Sequence, residues 1–91
     1  MNVLVIGSGG REHAFVEAIS RSPKAPKIYA APGNAGIAQL AECVAIKDTE
    51  VDKLLEFAKA NSIDVTVVGP EAAPAAGVVD AFRAAGLKIF G

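Results

Sequence analysis

The chain has one cysteine and one histidine among its 91 residues, and that scarcity removes several kinds of chemistry at once. A single thiol, Cys43, closes no internal disulfide and has no partner for a metal cluster. Within Cys43-Val44-Ala45-Ile46 it reads as a buried thiol, and a cytoplasmic home is the expectation that follows. No apolar run approaches the roughly 18 residues that a membrane helix needs. The opening Met1-Asn2-Val3-Leu4-Val5-Ile6-Gly7 has neither the basic lead nor the cleavage site of a signal peptide. Charge of one sign is also missing: nine basic against ten acidic residues leave a net −1. The charges form no blocks, so there is no basic stripe of the kind a nucleic-acid binder carries. Repeats, low-complexity segments and internal linkers are absent as well.

What the chain does have is apolar residues, 52% of the total. At this length they build one domain. So high an apolar share fits strands covered on both faces, where apolar residues run consecutively instead of alternating. Strand and helix patterns alternate from end to end. Val3 to Ile6 is a short apolar run stopped by glycines. Residues 11–21 read as a helix with Phe15, Ala18, Ile19 and Ser22 on its inner face, ended by Pro23 and Pro26. Ile28 to Ala31 is a second strand, residues 37–41 a short helix, and Cys43 to Ile46 a brief third strand. Thr49-Glu50-Val51-Asp52 resembles a capping box with Thr49 as the cap. Behind it Val51, Leu54, Leu55 and Ala58 follow helical spacing. Val65 to Val68 is a fourth strand. Val78, Val79 and Phe82 mark a last helix closed by Gly86, and Leu87 to Phe90 is a fifth strand.

Strands separated by helices need right-handed crossovers, which predicts a doubly wound α/β fold. The expectation is a five-stranded parallel sheet of order 3-2-1-4-5 with helices on both faces. Ligands in such sheets bind beyond the carboxyl ends of the strands, near the point where strand order reverses. Three glycine-rich turns fall there: residues 7–12, 32–36 and 69–77.

In the first turn, Gly7-Ser8-Gly9-Gly10-Arg11-Glu12-His13, glycines allow close backbone approach and the next helix offers free N–H groups to an anion. The turn departs from the dinucleotide fingerprint, because Glu12 occupies the third glycine position and would repel a pyrophosphate. The second strand ends in Tyr29-Ala30-Ala31-Pro32 without the acid that holds a nicotinamide dinucleotide's ribose. The turn equally fits anion or sugar binding and mere turn geometry. His13, alone at a helix start, reads as a packing residue rather than a general base. Asn34, in Pro32-Gly33-Asn34-Ala35-Gly36, is open to a turn role and to presenting its amide to a ligand. Glu71, after Gly69-Pro70, fits either ribose binding at the ligand edge or an acid facing a helix N-terminus.

Together these segments resemble the amino-terminal domain of the glycinamide ribonucleotide synthetase (phosphoribosylamine–glycine ligase) family. The resemblance is carried by Val3 to Ala14, Ala31 to Gly36, Val67 to Glu71 and Ala81 to Gly91, in order and without gaps. It implies a Rossmann-like, pre-ATP-grasp domain over residues 1–91, with the ATP-grasp and C-terminal domains outside them. In that family ATP phosphorylates the glycine carboxylate, and 5-phosphoribosylamine attacks the acyl phosphate in de novo purine synthesis. ATP and Mg belong to the ATP-grasp region, so the resemblance implies no cofactor, metal or catalytic residue here. Substrate contacts would come from Gly9, Gly10, Arg11, Glu12, Pro32, Gly33, Asn34, Gly69, Pro70 and Glu71. The third loop departs from the family, which commonly has Pro-Leu where this chain has Ala73-Pro74.

The chain alone is therefore expected to be inactive and to recognise phosphoribosyl compounds; the alternative is a stand-alone interaction or nucleotide-binding module. Neither nucleic acid nor membrane is expected as a partner. The uncharged run Ala72 to Val79, with the edge strand Leu87 to Phe90, predicts a homodimer.

Overall fold

The computed structural model describes residues 1–23, 27–69 and 75–90. Among them lie five strands: β1 (Asn2–Gly7), β2 (Lys27–Pro32), β3 (Glu42–Cys43), β4 (Val65–Val68) and β5 (Ile89–Phe90). They alternate with α1 (Gly10–Ser20), a 3-10 turn at Ile37–Gln39, α2 (Val51–Ala60) and α3 (Ala75–Ala84). The sheet has the order β3-β2-β1-β4-β5, the one its connections predict. All pairs are parallel.

Two cores lie on opposite faces of the sheet. On one face Val16 of α1 and Ile37 meet Val3, Val5, Ile28 and Ala30. On the other, Leu54 and Ala58 of α2 and Val78 and Phe82 of α3 meet Leu4, Ile6, Val68 and Ile89. Alternate residues of β1 thus serve both cores, which is why its sequence reads as an unbroken apolar run. Helix α2 buries Leu54 and Ala58 and packs Val51 and Leu55 beside them, as its spacing predicts.

Gly86, at φ +77°, closes α3. Its N–H donates to the Arg83 carbonyl at 3.0 Å and that of Leu87 to Phe82 at 2.9 Å, the paired bonds of a Schellman motif. At the amino edge the backbone N–H of Asn2 donates to Asp64 at 2.6 Å, and its side chain donates to the Asn61 carbonyl at 3.1 Å. Among the described residues, no helix is long and apolar enough to cross a membrane.

Four local expectations are corrected. The inner face of α1 runs through Glu12, Val16 and Ile19, leaving Phe15 and Ala18 exposed. Burial of the Glu12 carboxyl, described below, sets that rotation. The third strand is Glu42–Cys43 rather than 43–46. The Val44 N–H still reaches the Ala30 carbonyl, but Ile46 then bonds back to Val44 at 2.7 Å and the chain leaves the edge. Val44 and Ile46 pack instead under the α2 side. Cys43, on that two-residue edge strand, is exposed and not buried.

The fourth correction concerns the start of α2. Glu50 occupies the cap position there, with no side-chain bond to the first turn, and Thr49 stands one residue outside it. The Glu50 carboxylate turns backward instead, accepting from the Lys47 N–H at 2.9 Å and pairing with Lys53 at 2.9 Å.

Candidate functional site

Parallel strands deliver their following loops to one edge, and here the described parts of all three glycine turns meet. The Gly33 N–H donates to the Gly7 carbonyl at 3.0 Å, joining the second turn to the first. On the other flank, the Gly69 N–H donates to Ile6 at 2.8 Å. The order of the strands explains the meeting, since β1 lies between β2 and β4.

Asn34 is the tie between the first two turns. Its amide nitrogen donates to the Ser8 carbonyl at 2.7 Å, and its amide oxygen accepts from the Ile37 N–H at 2.9 Å. The side chain therefore both caps the 3-10 turn and holds the glycine loop, which puts its amide to structural use. Behind it the His13 ring packs on Gly36: a Cβ there would lie 2.7 Å from Cε1. His13 thus occupies the packing position its sequence context suggests.

Glu12 is 2% exposed and lies behind the loops, in contrast to exposed Arg11 beside it. Its carboxyl packs on the backbones of Gly7 and Gly69, where any Cβ would overlap it. A side chain at either glycine would have to displace that carboxyl, and the φ of +139° at Gly7 favours glycine in its own right. Glu12 thereby links the ends of β1 and β4.

Of the ten residues singled out from sequence, eight are described: Gly9, Gly10, Arg11, Glu12, Pro32, Gly33, Asn34 and Gly69. All eight lie at this edge or directly behind it. Pro70 and Glu71, with the altered Ala73-Pro74 step, lie outside the described residues. Gly9 and Gly10 open α1, whose first N–H groups face the edge without a side-chain cap.

Sequence reading passed over Phe15 and Val67. They line a pocket of about 170 Å³ with Val5, Arg11, Val68 and Gly69. The signal was available, because Arg11 and Phe15 are four apart and share one stripe of the helix. Among the described residues, no group of three or more His, Cys, Asp or Glu side chains gathers to hold a metal ion.

A doubly wound parallel sheet whose first two glycine turns are tied at its carboxyl edge defines the class: a Rossmann-like domain. The family model described as "Phosphoribosylglycinamide synthetase, N domain" matches residues 1–91, and the chain belongs to that family. It is 60% identical over 91 residues to the phosphoribosylamine–glycine ligase of Caldanaerobacter subterraneus subsp. tengcongensis. It is 55% identical over 93 residues to the ligase of the same name from Escherichia coli K12. In both cases all of this chain is matched and it spans only 22% of the relative. Among solved structures a Rex-family repressor superposes with a TM-score of 0.71 over 97% of this chain and 43% of its own. At 19% identity that likeness concerns the fold alone.

Proposed function

We propose that this chain forms the substrate side of a phosphoribosylamine–glycine ligase and holds 5-phosphoribosylamine at the carboxyl edge of its sheet. The reaction is the ATP-dependent joining of glycine to that amine in de novo purine synthesis, a cytoplasmic role. ATP first phosphorylates the glycine carboxylate; the amine then displaces phosphate from the acyl carbon, giving glycinamide ribonucleotide, ADP and phosphate.

The observation that carries this reading is the tie between the turns at the carboxyl edge. Asn34 binds Ser8 and Ile37 together, which holds the first two turns in one arrangement at the edge. In the proposed complex the phosphate meets the N–H groups of Gly9 and Gly10 at the start of α1, beside exposed Arg11. Pro32, Gly33 and Asn34 border the sugar. Gly69 and Pro70 lead to Glu71, whose carboxylate accepts from ribose hydroxyls. Glu12 acts from behind by spacing Gly7 from Gly69. All these groups position a substrate, and none transfers a proton or forms a bond to it.

Phosphoryl transfer needs a metal and cationic clamps on the nucleotide, which we assign to the ligase beyond its N domain. The 91 residues alone should therefore form no product from ATP, glycine and phosphoribosylamine.

Titration of the chain with a stable phosphoribosylamine analogue, followed by backbone NMR, tests the binding role. Amide shifts should centre on Gly9, Gly10, Gly33 and Asn34. Shifts confined to the amino edge around Asn2 and Asp64, or none at millimolar analogue, would reject it.

A further inference from the structure

The order of the strands puts this sheet's ligand crevice between β1 and β4, because the chain winds out through β2 and β3 on one side and through β5 on the other. Register pairs Ile6 with Val68, so Gly7 and Gly69 stand side by side at the carboxyl end of that crevice. The Glu12 carboxyl packs on both: a Cβ on either glycine would lie 2.7 Å from its Cγ. At 2% exposure Glu12 belongs to the floor of the crevice, an acid where dinucleotide-binding turns keep a glycine.

The β2 side of the same edge is built differently. There Gly33 and Asn34 are bonded to Gly7 and Ser8, and the second turn, residues 32–36, contains no acid. Across both turns, residues 7–13 and 32–36, Arg11 is the one lysine or arginine, and it is exposed. The edge thus supplies one permanent cation and one buried acid. A ligand with a single phosphate sets it at the start of α1, beside Arg11 and away from β4. A diphosphate laid along the crevice carries its second phosphate toward β4, over Glu12. Like charges at a partly buried site repel more strongly than in water, and these turns hold no second lysine or arginine to offset the repulsion.

We propose that Glu12 is a specificity-determining residue, which restricts this edge to ligands with one phosphate and turns away nucleoside diphosphates. The proposal rests on the phosphoribosyl reading and deepens it. The reaction uses ATP and releases ADP beside a phosphopentose, and all three offer phosphate to a helix N-terminus. An acid in the floor of the crevice keeps ATP and ADP from competing for the pentose's seat.

AMP and ADP differ by one phosphate and make the test direct. Both are titrated into the 91-residue chain and its Glu12→Gln variant, with backbone NMR reporting folding and affinity. Magnesium is left out, since it would neutralise the second phosphate. The parent should bind AMP at least about tenfold more tightly than ADP, and Glu12→Gln should bring the two within about twofold. A purely structural role for Glu12 would move both affinities together. Glu12→Ala, which removes the bulk as well, should level the two ligands in the same way and serves where the Gln variant does not fold. A parent that binds ADP as tightly as AMP overturns the proposal, and so do folded variants that still prefer AMP. No binding of ADP by any folded variant at millimolar concentration overturns it too. Ribose 5-phosphate in the same experiment tests the phosphoribosyl reading separately. A parent that binds it, with variants that keep the preference for AMP, rejects the role of Glu12 alone. A parent that ignores it, with variants that gain ADP, rejects the phosphoribosyl reading alone.

Discussion

Asn34 and Glu12 show how single side chains build the edge. Asn34 makes one bond to each of two loops, so Asn34→Ala removes both the Ser8 and the Ile37 contacts. The expected loss of stability is about 1–2 kcal/mol, measured by urea unfolding. Asn34→Asp keeps an acceptor for Ile37 but sets a charged oxygen against the Ser8 carbonyl, so it should recover little of that loss. A variant as stable as the parent would show that the tie is idle. Glu12 gives a second prediction. Gly69→Ala drives a methyl into its carboxyl and should cost about 1–3 kcal/mol. In a Glu12→Ala background the same change should cost at least about 1 kcal/mol less, since the overlap is gone. Equal costs in both backgrounds would place the strain elsewhere.

At the scale of the elements, α2 follows its own periodicity while α1 does not. Leu54 and Ala58 face the core as apolar spacing dictates. In α1 a glutamate takes an inward position, and Phe15 is turned to the rim. The start of α2 carries a pH signature. The hydrogen bond from Lys53, and then that from the Lys47 N–H, hold the Glu50 carboxyl below its ordinary value, and the same pairing raises Lys53. A depressed folded value means that the stabilisation is present above the unfolded glutamate value and is lost as pH falls through the lowered one. Lys53 is exposed and Glu50 only partly buried, so the effect is local and screened by salt. The Glu50 side-chain carbonyl should titrate in NMR below a glutamate of an unstructured peptide, and Lys53→Met should move it upward. A midpoint that Lys53→Met leaves in place would deny the pair.

For the whole molecule, the sheet order decides what the chain offers to a ligand. With β1 flanked by β2 and β4, the first two turns and Gly69, which opens the third, lie side by side although they are far apart in sequence. If phosphoribosyl ligands bind there, Glu71→Ala should weaken binding by about 1–3 kcal/mol, the range for a hydrogen bond to a charged group. Calorimetric titration of the variant checks this, and unchanged affinity would remove Glu71 from the site.

Alternation of apolar runs with glycine-stopped turns was enough, read from sequence alone, to predict five parallel strands and their order. The reason is that crossovers have one hand and strands sealed on both faces need continuous apolar residues. The family was legible too, in Val3 to Ala14, Ala31 to Gly36 and Val67 to Glu71. Tertiary structure decided what each side chain does at the edge. Glu12 reads as an acid of the ligand turn until Gly7 and Gly69, 62 residues apart, leave a gap that its carboxyl fills. Asn34 reads equally as a turn residue or a ligand contact until Ser8 comes within 2.7 Å of its amide. Cys43 looks buried by its apolar neighbours, yet it sits on an edge strand where the chain is already turning away. Phe15 and Phe90 look like core residues, and their exposure depends on which half of a face the chain's own helices reach. Local pattern determines elements and their sequence of pairing; the use of a side chain depends on which distant backbone folds against it, and only the assembled sheet supplies that neighbour.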